Sequence, residues 1–407
     1  MEFRGKFPLY KRLLISAQRR FLSFGVHFMR WKEPVLLNTY DKLAVIYRAN
    51  KKSKVLLVVS PTIKNNGGTQ SLTDSLDKFK ISYVFFTSIE PNPSLDDVEI
   101  GKLTYLKEGC DSIIAIGGGS VIDCAKGIGI SITNKKNLRK CAGVFKIRHH
   151  LPLLSAIPTT CGSGSETSNA CLISDKLMKE KFAIVSNYIV PRYVILDPSL
   201  LVSLPKQVFA YVSMDALTHA IESYLNTMST IKTRKMSLKA IELITKNIIK
   251  GYENPEDLEA KRHMLAASYL AGKAFSHAGV GIVHALAHAL GGKYDLPHGE
   301  LNAIILPKIL TSYLLSSLWK MDRISEVMGL ETNQDKRQNG LNVIFKIREW
   351  NKLFSIPDYI EEIKEDDIED MASRAYKEAT PLYTTPVVFS LDLYKRFLFA
   401  LKSGKDY

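Results

Sequence analysis

Between residues 54 and 196 short β-rich runs alternate with stretches of helical periodicity, and after Pro205 the short runs stop. Lys54–Val59, Tyr83–Thr87, Asp111–Ile116, Leu153–Ile157 and Tyr193–Leu196 are the strand candidates. Strands that take turns with helices form a parallel sheet covered on both faces, because each parallel connection crosses back through a helix. Beyond Pro205, the runs Val208–Leu225, Thr233–Ile249, Lys261–Phe275 and Gly281–Leu290 repeat apolar residues at helical spacing. A length of 407 residues exceeds one ordinary compact core. The expected plan is a basic extension over residues 1–30, an α/β nucleotide-binding domain over 31–202 and an all-α domain over 203–407.

The extension is expected to be a basic amphipathic helix. Leu9, Leu13, Ala17, Phe21, Phe24 and Phe28 recur at helical spacing, with Lys11, Arg12, Arg19 and Arg20 elsewhere around the wheel. Packing on its own protein or on a sister subunit is the first reading, and contact with a membrane surface is the second. The formal net charge of +14 suits an anionic partner, but the basic residues are spread out and no nucleic-acid motif accompanies them, so nucleic acid is excluded. With 46% apolar and 24% charged residues, and no apolar run long enough to cross a bilayer, an integral membrane protein is excluded as well. The five cysteines form no C-x-x-C pair and no secretory signal precedes them, which points to reduced thiols in the cytoplasm.

Three constellations carry chemistry. The first, Gly117-Gly118-Gly119-Ser120 with Asp123 and Lys126, follows a strand candidate and opens a helix. Glycines let a diphosphate approach the backbone, and the N–H groups at a helix start favour its charge. Taken alone the run is equally a tight turn, and it is not the G-x-G-x-x-G fingerprint. The second, Pro158–Glu166, supplies Thr159, Thr160 and Ser163 beside Gly162 and Gly164 after another strand, and its hydroxyls and amides suit phosphate, ribose or an amide. An ordinary surface loop is the plain alternative. The third lies in the helical half. Asp215 and His219 stand four apart, His284 and His288 repeat that spacing, and His298 follows Pro297. Residues four apart share one helix face, so a carboxylate and imidazoles could converge on a divalent ion, although an isolated Asp/His pair is usually a polar face.

In order and spacing these segments, ending in His284-Ala-Leu-Ala-His288-Ala-Leu-Gly-Gly and Pro297-His298-Gly299, resemble the signatures of iron-containing alcohol dehydrogenases. The resemblance implies a Rossmann-like α/β N-terminal domain that binds NAD(P) and an all-α C-terminal metal-binding domain, together a dehydroquinate synthase-like fold. By it, Asp215, His219, His284 and His298 would be the metal ligands, and His288 would assist proton transfer near the substrate. Gly117, Gly118, Gly119 and Ser120 would hold the pyrophosphate, Asp123 would lie near the nicotinamide, and Thr159, Thr160 and Ser163 would contact the cofactor. The implied metal is Fe²⁺, with Zn²⁺ as the alternative that a His/carboxylate set also accepts. The implied activity is hydride transfer between NADPH or NADH and a small alcohol, aldehyde or ketone, in a homodimer or larger homo-oligomer.

Two positions depart from the family pattern. Where an aspartate commonly ends the first nucleotide-domain strand, this chain has Ser60 with Lys64 nearby, and the loss of the acid removes the bar to a 2′-phosphate, so NADPH is expected to serve at least as well as NADH. His277 stands where asparagine is common. The alternatives are a polyol- or glycerol-phosphate-type dehydrogenase of the related dehydroquinate synthase-like group, and a non-catalytic nucleotide-binding scaffold.

Overall fold

Five of the six residues of Lys54–Val59 are fully buried, as a strand covered on both faces requires. The computed structural model describes residues 2–28, 32–134, 137–178 and 180–404, and the side chains of all of these except 21–28. Two units divide the chain: Trp31–Pro205 with Glu253–Gly272, and Met1–Arg30 with Lys206–Tyr252 and Lys273–Tyr407.

The first unit is the expected α/β domain. Its strands are β1 (Val35–Leu37), β2 (Lys54–Val59), β3 (Ser82–Phe86), β4 (Ser112–Gly117), β5 (Leu153–Pro158) and β6 (Tyr193–Ile195). They lie in the order β1-β6-β5-β4-β2-β3, and every pairing is parallel. Alternate residues feed two cores, as the two-residue period of a strand dictates. Leu56, Val58, Ile113 and Ala115 meet Ile122, Ala125 and Ile128 of helix α1 (Gly119–Thr133). Val55, Leu57, Ile114 and Ile116 meet Leu43, Tyr47, Leu72 and Leu76 on the other face. From β2 the chain runs out to the edge strand β3 and returns to β4 on the opposite side, so the strand order reverses between β2 and β4. Open parallel sheets bind ligands at the carboxyl ends of strands at such a reversal. Ser60 follows β2 there, and Gly118 follows β4.

The strand pair Ala170–Asp175 and Glu180–Val185, with Gly143–Val144 at its edge, forms a second small sheet that the sequence reading did not anticipate. Residues 253–272 join this unit because Gly272 packs against the 164–167 loop. A Cβ on Gly272 would come within 2.2 Å of Thr167 Oγ1 and 2.8 Å of the Gly164 carbonyl oxygen.

The second unit is helical apart from a short parallel pair, Glu2–Arg4 with Val387–Phe389. Helices α2 (Lys206–Leu225), α3 (Ile282–Tyr294), α4 (His298–Tyr313) and α5 (Ile368–Leu382) carry the residues discussed below. From Ser213 to Leu225 every residue of α2 is buried. A polar side chain on such a helix is costly unless it is paired.

The expected N-terminal helix forms, over Leu9–Phe28. Among its described side chains Ile15 and Arg19 are buried, with the Arg19 guanidinium donating to the Thr385 carbonyl, while Leu9 and Leu13 are exposed. The Phe21, Phe24 and Phe28 side chains of the expected stripe lie outside the described set. Among the described residues no single helix is long and apolar enough to cross a membrane. All five cysteines are buried and unbridged.

Candidate functional site

Asp215 and His219 project from the buried stretch of α2, His284 from α3 and His298 from the first position of α4. Donor atoms of Asp215, His284 and His298 all lie within 4.8 Å of one another. Asp215 Oδ1 is 3.6 Å from His284 Nε2, 3.7 Å from His298 Nε2 and 3.6 Å from His219 Nδ1. The His219 ring stacks between Phe275 and the His284 ring, each at 4.3 Å. Of the four residues named from the sequence, the structure brings Asp215, His284 and His298 into one donor cluster and sets His219 beside Asp215.

Glu222, one turn beyond His219 on α2, sets the orientation of His284. Its carboxylate accepts from His284 Nδ1 at 2.6 Å and from the backbone N–H groups of Gly281 and Val283 at 2.8 Å each. Holding Nδ1–H in this way turns Nε2 toward Asp215. Gly281 makes the approach feasible, since a Cβ there would sit 2.4 Å from Glu222 Oε1. The turn before α3 is fixed by Asn226, whose amide reaches the carbonyls of Ala278, Gly279 and Val280 at 2.9–3.0 Å. Gly299 does the same service for His298. A Cβ on it would be 2.3 Å from the Tyr211 carbonyl oxygen, so only glycine lets α4 start this close to α2.

The electrostatics follow from the burial of one carboxylate among imidazoles. Burial opposes ionisation of Asp215, but His219, His284 and His298 together hold its carboxyl well below the usual range. Burial also works against a charge on His284, yet Asp215 on one side and Glu222 on the other push its pKa up to about 9. A divalent cation among these atoms would compete for the same site as that proton.

His288, one turn along α3 from His284, stacks on His298 with ring centroids 5.2 Å apart. Its Nδ1 meets Glu378 Oε1 of α5 at 2.7 Å, and the Tyr383 hydroxyl donates to the same oxygen. The glutamate thus fixes the ring as Glu222 fixes that of His284.

In the α/β unit the two glycine-rich loops are in contact. The Thr159 N–H donates to the Gly117 carbonyl at 3.0 Å, and Cβ atoms on Gly118 and Gly119 would come within 3.1 Å of Thr160 and 2.8 Å of Ser163. Gly118 caps α1 without a side chain, and its carbonyl accepts from the Val121 and Ile122 N–H groups at 3.1 and 3.2 Å, so the Gly119 and Ser120 amides ahead of them receive no side-chain cap. Ser120 Oγ accepts from the Asn92 N–H at 3.2 Å, and Ser163 Oγ from the Ser165 N–H at 3.3 Å. Asp123 is buried, and its carboxylate accepts from the Ser165 hydroxyl and from the Leu172 N–H at 3.0 Å. The fully buried Lys126 donates to Ser165, Ser168 and Ala170. Asp123 and Lys126 therefore tie the second loop to α1. Ser60 caps the short helix Pro61–Asn65 through Oγ, and Lys64 Nζ lies 4.6 Å from the Phe85 ring centroid. His277, the second departure, is buried near the end of helix Leu258–Ala278.

The residues missed in the sequence are Glu222, Glu378 and Asn302, which also reaches Asp215. Glu222 stands three after His219 and Asn302 four after His298, so helical spacing could have found both. Glu378 is ninety positions from His288 and gave no local signal.

Comparison with known proteins bears on both units. Residues 38–198 match the model "Iron-containing alcohol dehydrogenase", and residues 209–396 match "Fe-containing alcohol dehydrogenase family, C-terminal". The chain is 36% identical over 330 residues to a 1,3-propanediol dehydrogenase of Citrobacter freundii, covering 80% of this chain and 85% of that one. It is 32% identical over 334 residues to an NAD-dependent methanol dehydrogenase of Bacillus methanolicus, covering 80% and 86%. Among solved structures, an alcohol dehydrogenase from Oenococcus oeni superposes with a TM-score of 0.87 at 30% identity, covering 91% of this chain and 99% of that one.

Proposed function

Since the chain belongs to the iron-containing alcohol dehydrogenase family and is an alcohol dehydrogenase, we propose that it interconverts a small alcohol and its aldehyde or ketone, using a divalent cation and a nicotinamide dinucleotide. The observation that carries the metal reading is the meeting of Asp215, His284 and His298 within 4.8 Å, with His219 beside them. One carboxylate and three imidazoles suit a borderline ion such as Fe²⁺ or Zn²⁺. We assign those four as its ligands. When bound, the cation supplies Lewis acidity toward the substrate oxygen and the nicotinamide gives or takes the hydride.

Glu222 and Glu378 keep His284 and His288 in the tautomers that leave Nε2 free to accept. For His284 that nitrogen faces the cation site. For His288 it serves proton exchange with the substrate oxygen, the other nitrogen being held by Glu378. Gly117, Gly118, Gly119 and Ser120 are assigned to the pyrophosphate, whose charge the first turn of α1 favours. Thr159, Thr160 and Ser163 line the adjoining loop for the rest of the cofactor. Asp123 acts indirectly, by holding that loop in place.

Ser60, beside the reversal of strand order, brings no carboxylate of its own to oppose a 2′-phosphate, and Lys64 lies on the next turn. The reading is tested on metal-reconstituted protein by following NADPH and NADH oxidation with a panel of small aldehydes. Turnover with NADPH at a kcat/KM equal to or above that with NADH is expected. A strong preference for NADH refutes the role given to Ser60, and no turnover with any aldehyde refutes the substrate class.

A further inference from the structure

One turn along α4 from His298, the fully buried Asn302 reaches into the Asp215 cluster. Its Nδ2 donates to Asp215 Oδ1 at 2.7 Å and lies 3.1 Å from His298 Nε2 and 3.3 Å from His284 Nε2. Its Oδ1 is buried and has no hydrogen-bond partner among the described residues.

Donors held about 2.1 Å from one cation stand about 3.0–3.4 Å apart when they subtend right to tetrahedral angles. The three separations of the Asn302 amide centre on such an edge length and exceed the bond length, so the amide stands at a further corner of the coordination polyhedron. An N–H pair at that corner points positive charge toward a cation, whereas a carbonyl oxygen there binds one. The two ends of an amide are nearly equal in size, so a half-turn about the Cβ–Cγ bond exchanges them without backbone movement. One polar atom lacks a partner in either orientation, so the exchange adds no buried unsatisfied group.

We propose that Asn302 is a fifth protein contact to the cation, made through Oδ1 after this half-turn, and that the extra oxygen favours an ion accepting more than four ligands, Fe²⁺ over Zn²⁺. The inference rests on the metal assignment made under Proposed function.

The test uses Co²⁺, whose visible absorption is intense in a four-coordinate site and weak at higher coordination. Full-length wild-type protein, Asn302→Leu and the smaller Asn302→Ala are stripped with a chelator, checked for an unchanged circular dichroism spectrum, and titrated with Co²⁺ and Zn²⁺. The expected result is a weak wild-type Co²⁺ band that intensifies in either variant, with Co²⁺ affinity falling about ten-fold and Zn²⁺ affinity falling less. Asn302→Asp, which keeps an oxygen at the corner, restores the weak band and the affinity. Identical spectra, an intense wild-type band, or tighter binding by the variants would mean that the amide is only a displaced hydrogen-bond donor, and would overturn the proposal. Wild-type protein that takes up neither ion would overturn the metal assignment itself.

Discussion

Glu222 is buried and accepts from two backbone N–H groups and one imidazole. Glu222→Gln keeps the shape but loses the charge-assisted bond to His284. Metal affinity is expected to fall about 10–100-fold, as measured by titration with a competing chelator. Equal affinity in the variant would show that His284 needs no such anchor. Glu166, in the α/β unit, is a second buried carboxyl. Burial, only partly offset by its own backbone N–H and by Lys126, raises its pKa from 4.5 to about 7. A carboxyl raised on folding contributes stability below its unfolded pKa, and that contribution is lost as pH rises through the folded value. The wild type is therefore expected to lose roughly 3 kcal/mol between about pH 4.5 and 7 from this group. Glu166→Gln should gain more in Tm over the wild type at pH 8 than at pH 5, and equal gains would contradict the assignment. Asp215, His219, His284 and His288 were legible because helical spacing is local. Glu378 was not, because its partner is set by the packing of α5 against α3.

At the level of elements, the site depends on how closely α4 begins against α2. Gly299→Ala would set a methyl 2.3 Å from the Tyr211 carbonyl oxygen, a backbone atom that cannot turn aside. The helices must separate, at a cost of about 1–3 kcal/mol, and His298 moves with α4. Lower Tm together with weaker metal binding is expected. Loss of stability with undiminished metal binding would show that His298 tolerates the shift or is not a ligand. The strands before the loops were read with nearly their observed limits, since β2, β4 and β5 are short runs rich in Val, Ile and Leu that stop at Ser60, Gly117 and Pro158. The Ala170–Asp175 and Glu180–Val185 pair was not read, because it alternates weakly and its partner strand Gly143–Val144 has only two residues. On the N-terminal helix, spacing identifies an apolar face but not which side chains the chain's own body covers: among the described ones Ile15 and Arg19 are covered and Leu9 and Leu13 are exposed.

For the molecule as a whole, the change from strand–helix alternation to helices alone located the two kinds of structure in the sequence. It did not reveal that residues 253–272 belong with the α/β unit, because that attachment rests on Gly272 meeting Gly164, a contact with no local signature. The proposed metal site holds one cation between Asp215, His219, His284 and His298. Its most direct test is to measure the stoichiometry and affinity of Fe²⁺ and Zn²⁺ binding to metal-stripped wild type, Asp215→Asn and His284→Gln by titration and elemental analysis. One ion per chain in the wild type, lost or weakened by several orders of magnitude in both folded variants, is the predicted result. An ion bound as tightly by the variants as by the wild type would contradict it.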